Sequence, residues 1–398
     1  MIPSLRQAYN RNFSQEKYEA ILGDLDSGYP GHLDFRVAET PIFIPGKFRD
    51  KIIDACESIV DVITDEKFGH FTRSAIPRNL EVKNETAPPQ FIAFDFGICT
   101  NSEGGHEPQL IEMQGFPTLF CWQVVMEDIF RKHTEIPDNF SPYLGGYSRE
   151  SYLQLLKEII LGDADPSQVV LLEIFPHSQK TRIDFYYTRE FLGINIVCLT
   201  ELIKEGNTLY YLNNGKKTRI RRMYNRLIFD DLLHQSPDVQ EKGRILFGEL
   251  DVAWVPHPNW FYRISKYTLP FIDHPYVPTT WFLNEIKQLP GDLENYVLKP
   301  LFSFAGQGVV IDVKQSDIDA IPDPQNWILQ KKVRYADVIE TPDQPAKAEI
   351  RIFYFWGKDM KRPVAVNNLA RLSKGKMIGV RYNKDKTWVG GSLCYFEK

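Results

Sequence analysis

Two short, strongly apolar runs with a helix-length segment between them constrain this chain most. Gln168-Val-Val-Leu-Leu-Glu-Ile-Phe and Ile194-Asn-Ile-Val-Cys-Leu flank residues 180–192. A strand apolar on both faces is buried on both, as in a parallel sheet covered by helices, and a parallel pair needs a crossover of about a dozen residues or more. The segment therefore reads as a small βαβ unit, preceded by a helix over 148–161. Thr208-Leu-Tyr-Tyr-Leu, Asn213-Asn-Gly and Thr218-Arg-Ile-Arg-Arg-Met-Tyr then form a hairpin about an Asn-Gly turn, because both central positions of such a turn need positive φ.

The flanking sequence is α+β in pattern. Helices are expected over 14–25, over 48–63, where Ile52, Ile53, Cys56, Ile59 and Val60 recur at helical spacing, and over 119–132. Strands are expected at 90–96 and 108–114, joined by a hairpin loop, and at 296–298, 309–313, 327–331, 350–355 and 364–369. A chain of 398 residues suits two or three packed domains. The divisions expected are 1–147, 148–255 and 256–398.

A net charge of −5 argues against a nucleic-acid or membrane surface, whose footprint is a basic excess. The five cysteines, at 56, 99, 121, 198 and 394, form no CxxC pair, and no histidine pair has metal-ligand spacing. Met1-Ile-Pro-Ser-Leu-Arg begins no apolar signal core, and no apolar run approaches the ~18 residues of a membrane span. A reducing, cytoplasmic location is expected.

Three features carry chemistry. In Tyr296-Val-Leu-Lys-Pro-Leu-Phe-Ser-Phe-Ala-Gly-Gln-Gly-Val-Val-Ile, a strand ends in Lys299-Pro300 and leads through a small-residue loop into a second strand. The amides of Ser303, Ala305, Gly306 and Gly308 are unshielded enough to approach phosphate oxygens, with Lys299 adding charge; an ordinary hairpin using glycine for positive φ is the alternative. Gly-Lys-Ser/Thr is absent, so this is not a P-loop. Second, Asp95, Glu112 and Gln114 stand in apolar surroundings. Glu112 and Gln114, two apart on a strand, share a face and can reach one cation with Asp95 on the adjoining strand, in the oxygen-rich style that suits magnesium; a satisfied carboxylate at a strand end is the alternative. Asp95-Phe-Gly mimics a kinase motif, but no His-Arg-Asp precedes it. Third, Lys266 and Val277-Pro-Thr-Thr precede Lys299, and Trp327-Ile-Leu-Gln-Lys-Lys-Val offers a strand edge to a purine; surface lysines on a plain strand are the bland reading.

In that order, Lys266, Pro278, Lys299-Pro300 and Leu329-Gln330-Lys331 resemble the ATP-grasp superfamily. The magnesium residues of that family follow these motifs, whereas here Asp95 and Glu112-x-Gln114 precede them. The order is similar to the circularly permuted branch of glutathionylspermidine synthase synthetase domains and eukaryotic-type glutathione synthetases. The resemblance implies an α+β, permuted ATP-grasp-like fold with an inserted α/β substrate domain. It implies ATP at Lys266, Lys299, Ser303, Gly306, Gly308, Gln330 and Lys331, and magnesium, or manganese, at Asp95, Glu112 and Gln114. Gln114 replaces the usual Asn and keeps its carbonyl oxygen. Ala93 occupies the slot where this branch usually carries a catalytic arginine, a role that passes to Arg351 or Arg371.

The basic stretch from Lys216 to Arg226 is too short for a nucleic-acid surface. Alternation puts Arg222 and Tyr224 on one face with Arg226 nearby, where they meet an anionic substrate group or, as charges on a hairpin, only solvent. The activity implied by the resemblance is a carboxylate–amine ligase working through an acylphosphate, on small molecules such as an amino acid, peptide or polyamine. A small-molecule kinase on the same fold and a non-catalytic nucleotide-binding protein are the alternatives.

Overall fold

Charged and apolar residues share one face of the strand Phe91–Thr100, and that strand lies within the sheet that organises the molecule. The computed structural model describes residues 2–86, 88–302, 308–375, 378, 383 and 385–398. The central sheet is antiparallel, in the order Gly390–Ser392, Val364–Ser373, Lys347–Phe355, Phe91–Thr100, His106–Gln114. Successive side chains alternate between faces. One face, with Ile92, Phe94, Phe96, Ile350, Ile352 and Tyr354, joins the core of the helix Gly46–Thr64. On the other, Phe91, Ala93, Phe353 and Phe355 pack in the core of the helix Phe120–His133. Farther along, that second face carries Asp95 and Gly97 beside Arg351 and Glu349. The change from apolar to charged is abrupt, within one strand.

The βαβ reading corresponds to real elements. Val169–Glu173 and Asn195–Cys198 pair in parallel across the helix Arg182–Leu192. The preceding helix, Arg149–Leu161, starts from a capping box at Ser148, whose hydroxyl accepts from the Ser151 amide. The hairpin expected to run to Tyr224 ends earlier. Lys216–Ile220 pairs with Thr208–Asn213 around Asn214 and Gly215, both at positive φ. Arg222–Asn225 then leaves to lie in parallel between Val169–Glu173 and Ala253–Val255. Arg221 makes the switch: its amide donates to Gln168 and its carbonyl accepts from Ala253.

A four-stranded antiparallel sheet, in the order Thr280–Phe282, Trp327–Lys331, Tyr296–Pro300, Val310–Ile311, packs its Phe282 and Ile328 into the same core as Leu110 and Met113. Strands Ile42–Ile44, Ala253–Val255, Gly390–Ser392 and Cys394–Glu397 were not expected from local pattern. Ile42–Ile44 pairs in parallel with Cys394–Glu397, tying the two ends of the sequence together. Among the described residues, no helix is long and apolar enough to cross a membrane.

Gly115 joins the end of the hairpin to the segment before Lys266. Its amide donates to Ile264 O at 2.8 Å, and a Cβ there would stand 2.3 Å from Trp260 O, a backbone atom. Gly115→Ala is therefore expected to destabilise the protein by about 1–3 kcal/mol, the range of overpacking. Urea unfolding measures this; an unchanged midpoint would mean the two segments part at no cost.

Candidate functional site

Alternation brings Asp95 to the charged half-face, and the register sets Glu112 on one side of it and Arg351 on the other. Asp95 is fully buried. Arg351 donates through Nε and Nη2 to its two oxygens, each at 2.6 Å, and Arg371 Nη2 donates to Oδ2 at 2.6 Å. Burial pushes the Asp95 carboxyl up, but the two arginines outweigh it and hold the pKa below the usual carboxylate range. Arg371 Nη2 also donates to Glu349, which accepts from the Tyr335 hydroxyl at 3.0 Å. Burial raises the Glu349 pKa, with Arg371 opposing.

On the edge strand a bulge between the partners of Asp95 and Phe96 leaves Ile111 out of the pairing. Its carbonyl accepts from Lys299 Nζ at 3.2 Å, so the bulge joins the central sheet to the small antiparallel one. Lys299 also donates to Gln330 Oε1 at 2.6 Å, and Gln330 Nε2 donates to Thr280 Oγ1 at 3.0 Å. Both partners of Lys299 are neutral. Burial pulls its ammonium down to about 8, with Glu112 opposing and Lys266 adding to the depression. Lys266, nearly buried at the start of the short helical segment Lys266–Phe271, is lowered by burial, again with Glu112 opposing.

The structure thus gathers Asp95, Glu112, Gln114, Lys266, Lys299, Gln330, Arg351 and Arg371 into one cluster of contacting or electrostatically coupled side chains. Lys331 is not brought in: alternation turns it to the face opposite Gln330, where it is exposed. Ser303 and Gly306 lie outside the described residues. Gly308 has φ +74 and stands against the Pro300 ring, a conformation that favours glycine.

The oxygen set read as a cation trio is engaged in hydrogen bonds within the protein. Asp95 gives both oxygens to arginine, and among the described residues no group of three His, Cys, Asp or Glu side chains is arranged to hold a metal. Glu112 and Gln114 remain side by side, Gln114 Nε2 donating to Glu112 Oε1 at 2.6 Å.

The proposed anion face separates in the same way. Arg222 donates to the carbonyls of Ile160 and Ile159 at 2.9 and 2.8 Å, closing the end of the helix Arg149–Leu161. Tyr224 is buried in the core. Both are thus packing residues, because the strand that carries them is interior to a parallel sheet and not the outer arm of a hairpin. Arg226, just past that strand, behaves differently. It donates to Pro117 O at 2.7 Å, lies 4.4 Å from the Phe116 ring centroid, and keeps a buried Nε without a partner. Phe116 and Pro117 lie just past Gln114 and Gly115, so Arg226 contacts the segment that follows the charged strand.

Three residues of this region were missed. Glu349 and Tyr335 anchor Arg371, and Glu349-x-Arg351 carried the same two-residue spacing that singled out Glu112 and Gln114. Glu173, at the end of the apolar strand Val169–Glu173, has its carboxyl raised to about 8 by burial, with Arg226 opposing. An acid inside an apolar run was its signal.

No protein-family model and no curated protein matches this chain. Among solved structures, the apo form of a glutathione synthetase-like effector (GSS30) from Globodera pallida superposes with a TM-score of 0.60 at 10% identity. The match covers 97% of this chain and 98% of that one, which shows a glutathione synthetase-like fold.

Proposed function

We propose that this chain is an ATP-dependent carboxylate–amine ligase. The observation that carries the reading is the state of its lysines. Burial lowers the pKa of both Lys266 and Lys299, and among the described residues Lys299 makes hydrogen bonds to neutral groups only. A desolvated cation with neutral partners is stabilised by an arriving anion. Beside these lysines stand two arginines held by Asp95, and fixed cations of this kind can neutralise the charge that develops during phosphoryl transfer.

In this scheme Lys266 and Lys299 hold the phosphates of ATP. A substrate carboxylate oxygen attacks the γ-phosphorus, the bond to the β–γ bridging oxygen breaks, and ADP leaves. The amine then attacks the acyl carbon of the acylphosphate, phosphate departs, and the nitrogen loses a proton. Arg351 and Arg371 neutralise charge on the transferred group. Arg226 favours a carboxylate over a hydroxyl acceptor, because its free Nε lies at the carboxyl ends of parallel strands, where ligands of such sheets bind. Magnesium accompanies the nucleotide in such chemistry and offsets phosphate charge; Glu112 and Gln114 are the oxygens this chain offers it.

Substrate labelled with 18O in the carboxylate should pass one label to phosphate during turnover; turnover without transfer would exclude the acylphosphate. Lys299→Met should weaken ATP binding about tenfold to a hundredfold, the worth of a charge-assisted hydrogen bond, as read by calorimetry.

The pH dependence has a definite sign. Phosphate binds protonated Lys299, whose free pKa is about 8, and a bound polyanion raises it. Affinity should therefore be full below about pH 8 and fall by up to about tenfold per unit above it, with proton uptake on binding near pH 8. A flat profile would remove Lys299 from the phosphate site.

A further inference from the structure

The way Arg371 is held goes beyond what a counter-ion alone requires. Among the described residues its Nη2 makes two hydrogen bonds, one to Asp95 and one to Glu349, while the buried Nε has no partner. The side chain nonetheless keeps 36% of its surface exposed. One corner of the guanidinium is fixed and the remainder is unspent. Glu349 is fixed in turn, buried and bound by the Tyr335 hydroxyl. Tyr335 is placed by Gly97: a Cβ on residue 97 would lie 2.6 Å from the Tyr335 ring. The chain of support runs Gly97, Tyr335, Glu349, Arg371, Asp95 and Arg351.

This network is continuous with the lysines. Arg351 Nη2 is 4.0 Å from Glu112 Oε1, and Glu112 is the acid that acts on both Lys266 and Lys299. The two arginines are already matched by Asp95 and Glu349, so they add direction rather than net charge. A fork held at one end and open at the other suits tetrahedral oxyanions, where geometry as well as charge is read.

We propose that Asp95, Glu349 and Tyr335 are positioning residues that lock Arg351 and Arg371 into a preformed clamp for the terminal phosphoryl group of the nucleotide. The clamp makes the cleft distinguish a triphosphate from a diphosphate. Asp95 serves it as a shared counter-ion and is not a cation ligand. The inference rests on the ATP reading above and adds to it the group that reads the γ-phosphate.

Calorimetry with the full chain, magnesium, ADP and β,γ-imido-ATP tests it. The wild type should prefer the imido analogue by about tenfold or more, the worth of charge-assisted contacts. Arg371→Gln, Glu349→Gln and Tyr335→Phe should each lose most of that preference while ADP affinity stays within about twofold. A merely structural role would weaken both ligands together. Tyr335→Phe removes a single hydroxyl, so it keeps the test alive if Glu349→Gln fails to fold. Undiminished preference in both Glu349→Gln and Tyr335→Phe would overturn the clamp. No nucleotide binding by the wild type would overturn the ATP reading and the clamp with it.

Discussion

The Asp95–Arg351 pair is the interaction on which the rest of the cleft depends. It sits in the middle of the central sheet, with Asp95 fully buried and both oxygens bound. Removing one member of such a pair typically costs about 3–5 kcal/mol, because the other is left charged in a low-dielectric interior. Well-packed apolar residues in its place would often be neutral or stabilising. Stability therefore does not explain why this half-face is charged when Phe91, Ala93, Phe353 and Phe355 continue it as ordinary core. On the ATP reading proposed above the charge serves a ligand, and the sheet supplies rigidity: four anchored side chains on strands lose less freedom on meeting a ligand than the same groups on loops.

The pair also sets how the two sheets meet. Asp95 faces Glu112, and the bulge beside them frees Ile111 to accept from Lys299. A regular ladder would have given that carbonyl to a neighbouring strand. One extra residue thus docks the strand Tyr296–Pro300 onto the central sheet and sets its lysine beside the carboxylates. Gly115 does the same for Lys266 by letting the chain pass against Trp260 without a side chain between.

Much of this was legible as periodicity. Asp95, Glu112, Gln114, Lys299 and Gln330 are strand residues whose facing follows from alternation, and the structure brings them together. Lys331 stayed out by the same rule, since its neighbour Gln330 faces the cleft. What the pattern does not encode is distant partnership. Arg222 and Tyr224 alternate as they would in a hairpin, but Ala253–Val255 pairs with their strand and turns it into core. Ile42–Ile44 is too short to announce a strand until Cys394–Glu397 lies beside it. Asp95 read as a cation ligand from its own strand. Its arginines lie more than two hundred residues away, and no local signal couples them.

The charge balance of the cluster follows from these contacts. Arg351 and Arg371 are answered by Asp95 and Glu349 through direct hydrogen bonds. Lys266 and Lys299 share the field of Glu112, which opposes the effect of burial on each without reversing it. Among the described residues of this cluster, four cations against three carboxylates leave an excess of one. Burial makes that excess costly when the cleft holds only protein, and an anion lowers the cost by more than water can at the same place. A cation arriving alone would meet Glu112 with two ammonium groups nearby and would be repelled as much as held. On the ATP reading proposed above, an anion would bind first and any cation would come with it.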